Sequence, residues 1–336
     1  MPASNLHKTY TWLFLLTISL PGLLLGQEFS TQYRNYTVTG GLPHQSLSYL
    51  LQDQRGFIWL SGFNGIARFD GYQFKAYHPA YELDTLTPPR DAPIFYEGEQ
   101  GQLWLGYTLA KHKLFRYDRR RDSFLLLDTN PLSQPPMALW QDRPGELFMN
   151  SGSEGVWQFD LAAAADTVPY RKYRADPQDS ARLSTDFMAQ GMWRGPNGQL
   201  WVLTERGLSC QSPETGRFTT YTWSEEAAEN EGFRFCPDTL RSCFWIGSFT
   251  GLVRFNWQDE TFERFPLYSS GDRSEPLSVS SPVLGPQGRV WVTAGWYPNS
   301  RISRFSPESQ QFELAVTVQS GTRDALPGAN HLVVDR

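Results

Sequence analysis

One phrase recurs along this 336-residue chain: DQRGFIWLSG at residues 53–62, EQGQLWLGY from 99, RPGELFMNS from 143, PNGQLWVLT from 196 and PQGRVWVTA from 286. Anchored on its aromatic residue the phrase falls at Trp59, Trp104, Phe148, Trp201, Trp245 and Trp291, so the period is 44 to 46 residues with one step of 53. Gly stands three residues before the aromatic in every copy except that of Trp245, where Ser242 takes its place. A repeat of this length is either a propeller blade or a helical pair, and the text inside each unit separates the two. In the first unit SLSYLLQD, GFIWLSG, GIARFDG and QFKAY are four short apolar-rich runs divided by Gly-containing turns, and FWIGS, GLVRFN and TFERF repeat the plan in the fifth. These are strand lengths with turn punctuation. Apart from the brief LAAAAD at 161–166 no stretch has helical spacing. The predicted fold is therefore all-β, a β-propeller of four-stranded antiparallel blades.

Composition agrees. Twelve Trp, fifteen Tyr and twenty-two Phe provide large rings to fill the wedges between radially packed sheets, and the six anchor aromatics are expected to be core. The net charge of −5, with no basic run longer than Arg119, Arg120 and Arg121, excludes a nucleic-acid footprint. No cofactor motif is present. The five His are scattered and no Cys or His pair has zinc-ligand spacing, so no metal is expected. Of three cysteines, Cys236 and Cys243 flank a hairpin close enough for a bridge to be conceivable, but an odd count supplies no disulfide framework.

At the amino end the apolar run LFLLTISLPGLLLG, broken by Pro21 and ending at Gly26, reads as a secretory signal peptide over residues 1–26, leaving 27–336 as an exported propeller. The ends are unequal. FSTQYRNYTVTGGLP resembles outer-strand text, whereas DALPGANHLVVDR resembles the inner-strand text GGLPHQSLSYLLQDQR. Six blades are thus visible, with a seventh split between the termini and its two middle strands missing; the domain is expected to be incomplete at the carboxyl end.

The unit of inner strand, Asp-x-x-Gly-x-x-Trp, turn, Gly-Leu-x-x-Phe-Asp and Phe-x-x-Tyr resembles the two-component regulator propeller repeat of the periplasmic sensor regions of Bacteroidetes-type hybrid sensor kinases. Here it is carried by Asp53, Gly56, Trp59, Gly65, Phe69, Asp70, Phe74 and Tyr77, and by Trp245, Gly251, Leu252, Phe255, Phe262 and Phe265, over a stretch from about residue 29 to the end. The resemblance implies a non-catalytic periplasmic sensor domain, tethered to the membrane in a larger parent and working, as a homodimer, through downstream linker and histidine-kinase phosphorelay modules.

Within a blade, strands alternate direction, so the turn after the Trp strand lies on the same face as the connections between blades. That turn is short in most copies but expands to GYTLAKHKL in unit two and TAGWYPNSRI in unit six. Lys111, His112 and Lys113 in the first, and Trp296, Tyr297, Asn299 and Arg301 in the second, are the candidate ligand-binding residues. Aromatic faces stack on sugar rings, and the cationic and amide groups suit hydroxyls or uronate carboxylates, so the expected partner is an oligosaccharide or other small ligand. The alternatives are a secreted carbohydrate-active hydrolase or lyase, which needs groups such as Asp70, Glu97 and Arg301 to converge, and a protein–protein scaffold.

Overall fold

The computed structural model describes residues 36–42, 47–62, 65–77, 93–98, 100–107, 113–129, 132–163, 167–269, 272–295 and 301–317. All belong to one compact unit, Tyr36–Arg336. The expected signal peptide and the carboxyl-terminal inner strand of the split blade lie outside the described residues.

Six meandering antiparallel sheets follow one another as the repeat predicts. Blade 1 holds β1 (Leu47–Gln52), β2 (Ile58–Gly62), β3 (Gly65–Phe69) and β4 (Phe74–Tyr77); blade 2 holds β5 (Ile94–Glu97), β6 (Leu103–Gly106), β7 (Leu114–Asp118) and β8 (Ser123–Leu126). Blade 3 comprises β9 (Ala138–Trp140), β10 (Glu146–Asn150), β11 (Val156–Asp160) and β12 (Tyr170–Tyr173), and blade 4 comprises β13 (Met188–Arg194), β14 (Leu200–Thr204), β15 (Gly207–Gln211) and β16 (Phe218–Tyr221). In blade 5 are β17 (Gly232–Asp238), β18 (Cys243–Ser248), β19 (Gly251–Asn256) and β20 (Thr261–Phe265). A small hairpin, β21 (Tyr268–Ser269) and β22 (Asp272–Pro276), precedes blade 6, whose strands are β23 (Val283–Leu284), β24 (Val290–Ala294), β25 (Arg301–Ser306) and β26 (Gln311–Thr317). The first strands of successive blades, β1, β5, β9, β13, β17 and β23, touch in that order, which makes them the inner strands of a propeller. Among the described residues no helix is long and apolar enough to cross a membrane.

The core is distributed over the blade interfaces. Five apolar clusters each join one blade to the next, and each contains the anchor aromatic of the earlier blade: Trp59, Trp104, Phe148, Trp201 and Trp245. These five are no more than 3% exposed, whereas Trp291 of blade 6 is only partly buried. Strands covered on both faces account for the unbroken burial along β6, β14 and β18, where an isolated sheet would alternate. Before blade 1, Tyr36 sets its ring edge-on against Phe69 and Phe74 at 5.0 and 5.4 Å.

The turn from the inner strand to the Trp strand explains the recurring phrase. Its residue three before the aromatic is left-handed in Gly56, Gly101, Gly198 and Gly288, and Ser242 adopts the same region at φ 52°, so the copy without Gly keeps the geometry. Asp53 opens this turn buried. It accepts hydrogen bonds from the Arg55 and Phe57 amides and, at 3.0 Å, from the indole N–H of Trp59. Asp238 does the same for Trp245 at 3.2 Å in blade 5. In blade 2 the position is Gly98, and Trp104 instead donates to Gln141 Oε1 of blade 3 at 2.8 Å, in space that a Cβ on Gly98 would invade, 2.7 Å from the same oxygen.

The register places Cys236 opposite Trp245 and Cys243 opposite Asp238, so the two are diagonal, and all three cysteines are free thiols. Burial pushes the thiols of Cys210 and Cys243 up to about 12 and that of Cys236 to about 11.

Candidate ligand-binding face

The two ends of the blades differ. At one end lie the inner-to-Trp turns and the turns between the third and fourth strands, mostly tight and alike. At the other lie the blade connections and the turns after the Trp strand, where the chain departs from its repeat: the β12–β13 connection, the β16–β17 connection and the β21–β22 insertion. Side chains hold these connections in place. Asp186 takes the Ala175 amide at 2.6 Å and the Arg174 guanidinium at 3.1 Å. Asn230, buried, accepts from the Trp223 and Ser224 amides and donates to the Ser224 and Glu226 carbonyls. Glu154, in the turn after β10, binds Lys172 at 2.6 Å and Ser133 at 2.8 Å, and the Lys172 hydrogen bond is the main cause that holds its carboxyl below the usual range.

The inner strands open onto this face with apolar residues. Met137 directly precedes β9 and Phe187 directly precedes β13, and they are 40% and 51% exposed. In β17 the pairing slips between Gly232 and Arg234, and Phe233 within this bulge meets the half-exposed Phe249 of the β18–β19 turn at 4.6 Å, edge to face. Comparable slips occur in β1 between Leu47 and Tyr49 and in β13 between Met188 and Met192. A bulge bends its strand and re-aims side chains, and three of them at one end of the inner strands shape a mouth rather than a uniform rim.

Of the residues predicted to bind ligand, Lys111, His112, Trp296, Tyr297 and Asn299 lie outside the described residues. Lys113 is half-buried in the turn before β7, and its carbonyl accepts the Tyr107 amide at 2.9 Å. Arg301 begins β25. One guanidinium N–H donates to the Tyr268 carbonyl of the inserted hairpin, its Nε is buried without a hydrogen-bond partner, and burial lowers it from the ordinary arginine range. Lys113 and Arg301 are on the same face but on blades 2 and 6, and no hydrogen bond joins them. The apolar mouth residues Met137, Phe187 and Phe249 escaped the sequence reading, because single exposed apolar residues at strand ends carry no spacing signal.

The triad needed for the enzymatic alternative does not converge. Asp70 caps its own β3–β4 turn through the Tyr72 and Gln73 amides, and Glu97 pairs with Arg119 and the Gln54 amide. Both lie at the end of the blades opposite Arg301. Among the described residues no group of three or more His, Cys, Asp or Glu is placed to hold a metal ion.

No protein-family model and no curated protein matches the sequence. Solved structures do. The extracellular domain of the hybrid two component system BT4673 from B. thetaiotaomicron matches with a TM-score of 0.63 and 19% identity, over 82% of this chain and 37% of that one. The corresponding domain of BT3049 from the same organism matches with a TM-score of 0.62 and 19% identity, over 88% and 38%. Virginiamycin B lyase from Staphylococcus aureus matches at 0.62 with 13% identity, over 87% and 89%. The chain thus spans little more than a third of the two extracellular sensor domains. Identities this low establish the shared β-propeller fold, and the sensors among these proteins are of the kind whose repeat the sequence resembles.

Proposed function

We propose that the chain is an extracytoplasmic, non-catalytic sensor propeller that binds a small ligand, in the first instance a glycan fragment, on the face formed by its blade connections. The observation that carries this reading is the concentration of irregularity on that face: the bulged inner strands, the partly exposed Phe187 and Phe249, and the inserted hairpin tied to Arg301. The propeller fold alone assigns no chemistry, and a lyase has the same fold. What favours sensing over catalysis is the repeat's own resemblance together with the separation of Asp70 and Glu97 from Arg301. Signal transfer requires the ligand to prefer one of two arrangements of propeller and downstream segment, since a ligand of equal affinity for both shifts nothing.

The test is Trp296→Ala in the expanded turn of unit six. Calorimetric titration with an oligosaccharide panel should show binding weakened by about 1–3 kcal/mol, the scale of one lost aromatic anchor, with the melting temperature unchanged. A large drop in melting temperature with unchanged affinity of the folded protein would assign Trp296 to packing and remove this face's aromatic platform.

A further inference from the structure

An arginine recurs directly across from the anchor Trp. The third strand places Arg68 opposite Trp59, Arg116 opposite Trp104, Arg254 opposite Trp245 and Arg304 opposite Trp291. In three of these blades a carboxylate meets the guanidinium: Asp122 for Arg68 at 3.2 Å, Glu263 for Arg254 at 2.8 Å, and Glu313 for Arg304. Arg116 departs from the rule. It is exposed, and it makes no hydrogen bond or ion pair among the described residues; the residue opposite it on β8 is Leu125, where blades 5 and 6 carry Glu263 and Glu313.

Of the acids nearby, Asp142, which also lines this place, accepts from Arg194 Nε at 2.7 Å through Oδ2 while its buried Oδ1 makes no hydrogen bond, Glu146 takes the same guanidinium at 2.7 Å, and Asp118 caps the Arg120 and Arg121 amides. Arg143, the second cation at this place, is more than half exposed and reaches Asp142 only at 3.8 Å. Arg116 and Arg143 line a cleft of about 540 Å³ between blades 2 and 3, whose walls include Leu125 and Leu161 and at which the Trp104–Gln141 pair also lies. A volume of this order is typical of small-molecule sites, and an apolar wall with a few convergent polar groups is their usual lining.

We propose that this cleft binds a small carboxylate of about one ring in size, with its acid group on the Arg116 guanidinium and its body along the Leu125 and Leu161 wall. A guanidinium offers parallel N–H donors that match a carboxylate, and the corresponding guanidiniums of blades 1, 5 and 6 each meet an Asp or Glu of the protein itself. In blade 2 the protein leaves that half of the pair to a ligand. The cleft lies toward the tight-turn end of the blades, away from the connection face, so its failure leaves the sensor reading standing.

The test is titration of the full chain with benzoate and with glucuronate, using benzamide and glucose as neutral controls at matched ionic strength. At least one acid should bind at least tenfold more tightly than its neutral control, and Arg116→Gln should remove that preference while Arg120→Gln retains it. Preference for benzoate defines an apolar ligand body, and preference for glucuronate a hydroxylated one. Because Arg116 is exposed and makes no hydrogen bond or ion pair among the described residues, the variant should melt with the wild type. Equal binding of acid and neutral control, displacement of the acid by equimolar sulfate, or an Arg116→Gln protein that binds like wild type would overturn the proposal.

Discussion

The carboxylate of Asp122 gathers four side chains at the junction of blade 1 and blade 2. It sits in the β7–β8 turn with φ 49° and accepts from Tyr117 of its own blade and from Lys75, Tyr77 and Arg68 of blade 1. Burial alone would raise its carboxyl, but the hydrogen bonds from Lys75, Tyr117 and Tyr77 and the charge of Arg68 outweigh it and hold the group well below the usual carboxylate range. A group depressed in the folded state stabilises above its unfolded pKa of about 4 and loses that contribution as pH falls toward its folded value. Urea unfolding should therefore show wild type more stable than Asp122→Asn at pH 7, with the gap closing below about pH 4. A gap that stays constant down to pH 2, or none at pH 7, would contradict this role. Little of it was legible in the sequence, where Asp122 follows a run of three arginines and reads as a solvated turn; its blade 1 partners lie 45 to 54 residues away. By contrast Asp53 stood in the recurring phrase from the start, and the structure adds why: a turn carboxylate six residues before Trp59, or seven before Trp245 in the case of Asp238, reaches the indole N–H.

Two glycines of the repeat show how differently the turns of a blade depend on a left-handed residue. Gly56 has φ 85°, but a Cβ there would meet nothing within 4 Å. Gly251, which starts β19, has φ 120°, and a Cβ would approach the Phe265 carbonyl oxygen to 2.6 Å where the fourth strand returns beside it. Gly56→Ala should accordingly cost about 1 kcal/mol, the left-handed penalty alone, and Gly251→Ala about 3 kcal/mol, measured as the shift in denaturant midpoint. Equal losses would mean that the carbonyl contact yields freely. Strand boundaries were largely legible: the runs around residues 47–52, 58–62, 65–69 and 74–77 are the four strands of blade 1. The β21–β22 hairpin was not, since its polar text SSGDRSEP lacks alternation and pairs only where a connection has room to fold back.

At the scale of the whole molecule, stability resides in five wedges, each closed by an aromatic from one blade against the next, and Trp291 is the anchor whose burial stays partial. That arrangement was legible because a fixed period of aromatics implies fixed packing against the neighbouring copy. The proposed ligand face was legible only as a place, because turn length marks where the chain departs from its repeat, while the bulges and the Phe233–Phe249 contact arise from strand pairing that no single unit displays. The proposal that this propeller recognises its ligand without transforming it is tested most directly by incubating the protein with an oligosaccharide that binds it in calorimetric titration and separating the mixture by chromatography over a long time course. The oligosaccharide should be recovered unchanged; cleavage that grows with time and with protein concentration would contradict a sensing role.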